Sequence, residues 1–363
     1  MLAGRWLIGR IDADLWAAAS GDLGADNRGP APLEPAAYRA LLAREAGADI
    51  DPRALQRRAA AIGAELEAML DERAARVEPG AADWRPVFAR LSDDHPDSPE
   101  AVLELYREET RLAERFARKL ALLPLPDRPP RVVAVQNPAL RRLFPLGLYL
   151  GKGTYAVTLE PPLGDGAHYL RNHCRVCVPA IAVHEAYPGH HVAFSRLAPG
   201  RAPTREERLP FYHEGWAQYG EVLYWERGYW QAEAPLELGA LRLMRLRALR
   251  AEVDAALHGG RMTSEKAVRA YREQAGVDAV AAEGEVAGHL HAPARKASYL
   301  IGGLQVLALR AALGEPRGEE LRAFHERFLT RVAPVPVLAR ELFGVEIAGL
   351  PENALLSAPG STP

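Results

Sequence analysis

The sequence predicts a mainly α-helical protein with a small β element of two or three strands. Apolar residues recur at intervals of three, four and seven along most of the chain, which is the spacing of one helix face. The 29 Pro and 31 Gly residues cluster in a few short stretches that divide the chain into helical blocks. Two β-branched stretches interrupt this helical pattern and predict the strands.

The composition is that of a folded globular protein and excludes several function classes. Of the 363 residues, 48% are hydrophobic and 25% are charged, so the chain can bury a core. The formal net charge of −2 lacks the basic excess of a nucleic-acid-binding protein. No apolar stretch approaches the roughly 20 residues that a membrane span requires. The first residues also lack the pattern of a signal peptide, and we therefore expect a cytoplasmic protein that contacts neither nucleic acid nor membrane.

Capping residues mark the starts of several helices. Asp51 followed by Pro52 predicts an amphipathic helix, because Asp accepts bonds from first-turn amides and Pro suits the first helical position. Ser98 and Thr263 predict two further starts. Longer helical patterns extend over Leu236–Leu257, Pro293–Leu313 and Glu319–Val332.

The predicted strands are Arg131–Gln136 and Thr154–Leu159, both flanked by Pro or Gly. We expect an irregular N-terminal segment over residues 1–34, a single helical domain over 35–345 and a flexible tail over 346–363. His289 and His291 are two residues apart, a spacing that suits a loop or strand better than one helix face, so we expect them in a loop.

The stretch His184-Glu-Ala-Tyr-Pro-Gly-His-His191 carries the strongest chemical signal. A His followed directly by Glu in an apolar segment begins the helical motif in which two His bind zinc and the Glu activates water. The second His of that motif would stand at the position of Pro188. On an unbroken helix His191 would return to the face of His184, but a kink at Pro188 could turn His190 inward instead. Both histidines therefore remain candidate ligands.

Glu214 is the candidate for the third protein ligand. It lies in the aromatic segment Phe211-Tyr-His-Glu-Gly-Trp-Ala-Gln-Tyr-Gly-Glu221, where a surface glutamate would be out of place. Two antiparallel helices joined by a turn would bring it close to His184. Zinc at a catalytic site takes three protein ligands and keeps a fourth position for water, so the sequence predicts a site for one Zn²⁺ ion.

These strings resemble the motifs HExxPGHH and EGWAxY of the DUF885 family, which is regarded as a family of zinc peptidases. Arg250 to His258 resembles the family's R-x-x-x-D-x-G-x-H segment, with Ala256 in place of Gly. Pro293 to Gly302 resembles its P-G-Q-A-x-x-Y-x-x-G segment, with Ala294 for Gly and Arg295 for Gln. The resemblance covers roughly residues 35 to 345. Because family members are usually longer, we expect this chain to lack N-terminal helices of the family.

The resemblance implies a helical, gluzincin-like metallopeptidase domain with Glu185 as the general base. His184, Glu214 and either His190 or His191 would bind the zinc ion. Tyr299 is the first candidate to donate a hydrogen bond to the oxyanion and His258 is the second, although either could instead be a packing residue.

Two further residues are candidates for supporting roles. Asp254 could orient His258 or a ligand histidine through a hydrogen bond. Arg250 could bind the carboxylate of a peptide, or could belong to a solvated helix face.

Three functions agree with this pattern. The first is a zinc-dependent peptidase acting on short peptides. The second is a zinc amidase with the same metal chemistry on a non-peptide substrate. The third is a relative that keeps the fold as a binding or scaffold module without turnover, although unused ligands in apolar segments would cost stability.

Overall fold

The computed structural model describes residues 30–135, 146–160, 166–197, 208–231 and 233–356 of the chain. The protein is mainly helical, with a small three-stranded sheet between the fourth and fifth α-helices. The elements, in chain order, are α1 (Pro35–Ala46), α2 (Pro52–Val77), α3 (Trp84–Leu91), α4 (Pro99–Leu120), β1 (Arg131–Ala134), β2 (Gly147–Gly151), β3 (Thr154–Val157), a 3₁₀ helix (Gly166–His173), α5 (Val178–Glu185), α6 (His190–Leu197), α7 (Pro210–Glu226), α8 (Ala234–His258), α9 (Ser264–Ala275), α10 (Ala279–His291), α11 (Ser298–Ala312), α12 (Gly318–Phe328), α13 (Val335–Leu338) and a π-helical turn (Ala339–Phe343).

The predicted caps are present at three helix starts. The side chain of Asp51 accepts a hydrogen bond from the amide of Arg53 at the start of α2. Ser98 and Thr263 do the same at the starts of α4 and α9, for the amides of Ala101 and Lys266. These side chains satisfy amides that have no partner within their helix, which fixes where each helix begins.

The sheet has the order β1-β3-β2, with β3 in the centre. Strand β1 pairs parallel to β3, and β2 pairs antiparallel to it. The two predicted strands are confirmed as β1 and β3, and β2 completes the sheet. The sequence pattern did not reveal β2, because Gly147-Leu-Tyr-Leu-Gly151 contains no β-branched residue and has Gly at both ends.

The core is formed by long helices that pack along one another. Helices α2 and α8 form one extensive contact, and α7 and α11 form another. Nearly the whole of α7 is buried, from Phe211 to Trp225, so the helix has no solvated face. One apolar core extends from Tyr38 to Leu355, and a smaller cluster joins α8, α9 and α10.

Three expectations differ from the structure. His289 and His291 lie in the last turn of α10 and not in a loop, because α10 extends to His291. Helix α11 begins at Ser298, five residues later than predicted, after a series of turns. The chain after residue 345 is packed as far as it is described: Gln305 donates a hydrogen bond of 2.8 Å to the carbonyl of Gly349, and Leu355 is buried. That contact corrects the expectation of a flexible tail from residue 346, since the segment covers apolar surface.

The predicted N-terminal segment falls almost wholly outside the described residues, apart from residues 30–34. Among the helices that are described, none has the length and apolar character needed to cross a bilayer.

Candidate metal centre

Three of the predicted ligands come together between α5, α6 and α7. His184 lies in the last turn of α5, His190 begins α6 and Glu214 lies in the first turns of α7. One possible ligand atom from each lies within 4.8 Å of the other two. Oε2 of Glu214 is 3.2 Å from Nε2 of His184 and 3.3 Å from Nε2 of His190. All three residues are buried.

The interruption of the helix after Glu185 selects His190. Helix α5 ends at Glu185, and α6 begins afresh at His190 after a turn through Pro188 and Gly189. The spacing rule that favoured His191 assumes an unbroken helix, so it does not apply here. A Cβ atom at position 189 would lie 1.7 Å from the carbonyl oxygen of His184, so the turn requires glycine.

His191 faces away from the group formed by His184, His190 and Glu214. Its Nδ1 lies 2.8 Å from the hydroxyl of Tyr149, and its Nε2 donates a hydrogen bond of 2.9 Å to the carbonyl of Arg128. Both ring nitrogens are therefore engaged outside the candidate centre. Of the two histidines left open by the sequence, the structure brings only His190 to His184 and Glu214.

Helix α7 is held against the turn and against α11 by close contacts. The indole of Trp216 donates a hydrogen bond of 2.8 Å to the carbonyl of Pro188. A Cβ atom on Gly215 would lie 2.6 Å from backbone atoms of Gly302, so the two helices touch at their glycines. Glu214 directly precedes Gly215, and Tyr299 lies about one turn before Gly302. The close approach of the two glycines therefore also sets the distance between Glu214 and Tyr299.

Tyr299 packs directly on His184, one of the candidate ligands. Its ring is stacked on that of His184, with centroids 5.6 Å apart and an angle of 21° between the planes. The guanidinium groups of Arg247 and Arg250 stand over the Tyr299 ring at 5.5 and 5.6 Å. Burial, and then the negative charge of Glu214, raise the pKa of Tyr299, so the phenol keeps its proton at neutral pH.

A carboxylate and an arginine that the sequence did not single out support His184. Oε1 of Glu221 lies 2.7 Å from Nδ1 of His184. The other oxygen of Glu221 accepts a hydrogen bond from Arg247, which also bonds to Gln218 at 3.2 Å. Glu221 is fully buried. It lies seven residues after Glu214, two turns along the same helix face, and this spacing was the signal available in the sequence.

Burial acts differently on the two glutamates of the site. It raises the pKa of Glu185 to about 7, against the opposing charges of His190 and Arg247. Burial would also raise the pKa of Glu214, but the charge of His190 and the hydrogen bond from His184 hold it well below its usual value. Glu214 is therefore the carboxylate that stays ionised, as a metal-binding carboxylate would have to.

His258 and Asp254 belong to a different buried cluster. Nδ1 of His258 accepts a hydrogen bond from the amide of Leu33, and its Nε2 donates to the carbonyl of His289. Asp254 accepts hydrogen bonds of 2.6 Å from both Tyr38 and His289.

The position of His258 on α8 explains why neither residue joins the candidate centre. His258 lies eleven residues beyond Arg247, which is about 16 Å along the helix axis. The structure does not bring His258 or Asp254 to His184. Both residues lie instead among the contacts that join α1, α8 and α10, which agrees with the alternative that His258 is a packing residue.

Arg250 is near Tyr299, but its charge is already engaged. Both oxygens of Glu285 accept hydrogen bonds from its guanidinium, at 2.6 and 2.9 Å. Lys296 donates to the same carboxylate at 2.7 Å. The structure therefore does not present Arg250 as a free clamp for a substrate carboxylate.

The fold and the site define a mainly helical protein with a buried group of two histidines and one glutamate that could hold a metal ion. The chain belongs to the DUF885 family, described as "Bacterial protein of unknown function (DUF885)", which matches residues 13–342. The resemblance predicted from the motifs is thus confirmed.

Two solved structures share the fold. A "putative lipoprotein" from Colwellia psychrerythraea superimposes with a TM-score of 0.73 and 22% identity, covering 85% of this chain and 55% of that chain. A "putative lipoprotein of unknown function" from Shewanella oneidensis gives 0.71 and 20%, with 90% and 63% covered. The chain thus spans less than two thirds of the length of either. Among curated proteins, none matches the chain.

Proposed function

We propose that the protein is a zinc-dependent hydrolase that cleaves short peptides, with His184, His190 and Glu214 as the metal ligands and Glu185 as the general base. One observation carries this proposal: two imidazoles and one carboxylate from three helices converge within 4.8 Å. Two His and one Glu form a known donor set of catalytic zinc, in which a fourth position is left for water.

The separations between the donor atoms fit a zinc ion. Ligands about 2.0–2.1 Å from a tetrahedral metal lie about 3.3 Å from one another. The two measured nitrogen–oxygen separations, 3.2 and 3.3 Å, match that value. The hydrogen bond to Glu221 can hold a proton of His184 on Nδ1, so with a metal ion bound Nε2 would give up its hydrogen bond to Glu214 and present a lone pair to the cation. A cation fits between two such acceptors.

The residues around the group supply the other parts of a peptidase. A bound zinc ion supplies a water of lowered pKa and polarises the carbonyl of the substrate. Glu185 follows His184 directly, is half-buried, and its Oε2 has no hydrogen-bond partner among the described residues. Its carboxylate takes a proton from water and returns it to the leaving amine. The protonated phenol of Tyr299, fixed by His184 and two arginines, donates to the oxyanion as it forms.

The direct test compares peptide hydrolysis by the zinc-loaded wild type and Glu185→Gln on a library of short peptides. We expect the variant to lose at least 100-fold in rate, the usual contribution of a general base. Glu320→Gln, on the exposed face of α12, is the matched control and should keep full activity. A wild type no faster than Glu185→Gln would contradict the proposal. Hydrolysis of non-peptide amides alone would replace the peptidase by an amidase.

A further inference from the structure

Three aromatic side chains from three elements form a stack beside the candidate metal centre. The Phe194 ring, on α6, is stacked on the ring of His213 in α7, with centroids 4.2 Å apart and an angle of 10° between the planes. It is also stacked on the ring of Tyr149 in β2, at 5.6 Å and 19°. The same Phe194 ring lies 6.1 Å from the ring of His190. The stack therefore adjoins a candidate metal ligand.

Phe194 is the partly exposed member of α6 that lies nearest in sequence to His190. It follows His190 by four residues, so the two side chains share one face of the helix. Val192 and Ala193, which stand between them in sequence, are fully buried, whereas Phe194 is half-buried. Part of its ring is therefore accessible to solvent on the helix face that carries the candidate ligand.

The hydroxyl of Tyr149 is already engaged, so this residue adds ring carbons to the site and no free donor. Nε2 of His191 donates to the carbonyl of Arg128, so Nδ1 of the same ring accepts a hydrogen bond of 2.8 Å from the Tyr149 hydroxyl. The hydroxyl oxygen in turn accepts a hydrogen bond of 3.0 Å from the amide of Gly153. These contacts use its one proton and hold the Tyr149 ring against α6.

We propose that Phe194, packed on Tyr149 and His213, is the wall of an apolar subsite, and that the preferred substrates carry a bulky apolar side chain next to the scissile bond. This inference rests on the proposed function and names its substrate class. One extended residue spans about 3.5 Å, so a ring 6.1 Å from the His190 ring is within reach of a residue that flanks the bond. Binding gains free energy roughly in proportion to the apolar area that the side chain covers.

The test uses peptides of one sequence with Gly, Ala, Leu or Phe on either side of the cleaved bond, which is located by mass spectrometry of the products. At one of the two positions, we expect the wild type to prefer Leu or Phe over Gly by at least about 10-fold in kcat/KM, the lower end of the range for one methylene in an apolar pocket. Phe194→Ala should lose most of this preference, with a far smaller loss on the Gly peptide, and Phe194→Leu should keep most of it. Phe194→Gln, which keeps more of the volume, replaces Phe194→Ala if the latter does not fold.

Phe343→Ala is the matched control for Phe194→Ala. Phe343 is also half-buried, but it lies in the π-helical turn and packs on Phe324 of α12. Its loss should leave the side-chain preference unchanged. Zinc affinity is measured for every variant and should stay at the wild-type value. No preference in the wild type at either position, or equal losses on the Gly and Leu peptides in Phe194→Ala, would overturn the inference.

A binding measurement separates this inference from the proposed function. Calorimetry with the zinc-loaded Glu185→Gln protein, with and without Phe194→Ala, measures the affinity for the Gly and Leu peptides without turnover. If the wild type cleaves nothing but Phe194→Ala still abolishes tighter binding of the Leu peptide, the subsite stands and the peptidase proposal fails. If peptides are cleaved without regard to the flanking side chains, the peptidase stands and the subsite fails.

Discussion

Glu221 is the single residue whose role the structure changes most. A histidine ligand needs one nitrogen free and the other hydrogen-bonded, and Glu221 fixes this arrangement for His184. Arg247 in turn holds Glu221 and stands over Tyr299, so one arginine connects the candidate ligand His184 with the candidate oxyanion donor. Removal of either Glu221 or Arg247 would therefore loosen both His184 and Tyr299.

We expect Glu221→Gln to weaken zinc binding by about 10- to 100-fold, because the carboxylate that orients His184 is lost. The affinity is measured by competition with a chromophoric chelator. Arg247 is left as a buried charge without its partner, which would itself destabilise the protein by about 3–5 kcal/mol. The double variant Glu221→Gln/Arg247→Gln removes that charge and should regain stability without regaining affinity.

Glu226→Gln is the matched control for Glu221→Gln. Glu226 lies at the end of the same helix, is largely buried and pairs through both oxygens with Arg310. The Glu226→Gln substitution should lower the free energy of unfolding and leave zinc affinity unchanged. If both glutamine variants weaken zinc binding equally, the effect comes from general destabilisation, and Glu221 has no special role.

Among the structural elements, the crossing of α7 and α11 determines the geometry of the site. The helices touch at Gly215 and Gly302. This contact holds Glu214 on one helix close to Tyr299 on the other. Close approach of this kind depends on the missing Cβ atoms, which explains why glycine stands in both motifs at these positions.

Gly302→Ala should therefore disturb both the fold and the centre. The added Cβ would lie 2.1 Å from the carbonyl oxygen of Phe211 and 2.7 Å from Cα of Gly215, so the helices must move apart. We expect a loss of about 1–3 kcal/mol in the free energy of unfolding, together with weaker zinc binding. Denaturant unfolding and zinc titration measure the two effects.

Gly284→Ala serves as the comparison for Gly302→Ala. Gly284 lies on α10, is exposed, and a Cβ atom there would meet nothing within 4 Å. The same substitution should raise stability by about 0.5–1 kcal/mol through helix propensity. Gly302→Ala behaving like Gly284→Ala would show that the two helices tolerate a wider separation than the structure indicates.

The sequence identified the site residues that stand in short local motifs. It did not identify the residues whose role depends on tertiary structure. His184, Glu185, Glu214 and Tyr299 stand in short motifs, and all four lie at the candidate centre. The choice between His190 and His191 depended on where α5 ends, which residue spacing alone does not reveal. Glu221 looked like any glutamate until its neighbours were known.

The cluster around Asp254 shows the opposite case. The segment from Arg250 to His258 resembled a family motif, so its polar residues were given chemical roles. In the fold Asp254 accepts hydrogen bonds from Tyr38 and His289, and His258 donates to the carbonyl of His289, because polar groups in the interior require hydrogen-bond partners. A resemblance in sequence does not distinguish a residue that supports the fold from one that contacts the substrate.

Over the whole molecule, buried neutral histidines link stability to pH. Burial lowers the pKa of His325 to about 4, although its hydrogen bond to the carbonyl of Leu122 opposes this. The unfolded chain binds a proton at His325 below about pH 6.5, whereas the folded chain does so only below about pH 4. The folded state is therefore fully stabilised above pH 6.5 and loses stability as the pH falls toward 4.

Protonation of His325 should cost the wild type about 3 kcal/mol of unfolding free energy between pH 7 and pH 4, the free-energy equivalent of the shift in pKa. We expect His325→Gln to remove this part of the loss. Glutamine does not titrate, so the variant should be less stable than the wild type at pH 7 and lose less on acidification. Denaturant unfolding at both pH values provides the measurement. His291→Gln, at an exposed position, is the control. Parallel losses in the wild type and His325→Gln would contradict the prediction.

The most direct test of the metal centre compares two adjacent histidines. His190→Ala and His191→Ala are purified beside the wild type, and bound zinc per chain and zinc affinity are measured. We predict one tightly bound ion in the wild type and in His191→Ala, and at least 100-fold weaker binding in His190→Ala, because only His190 faces His184 and Glu214. A wild type that binds no zinc, or a His190→Ala protein that binds it as tightly as the wild type, would contradict the account.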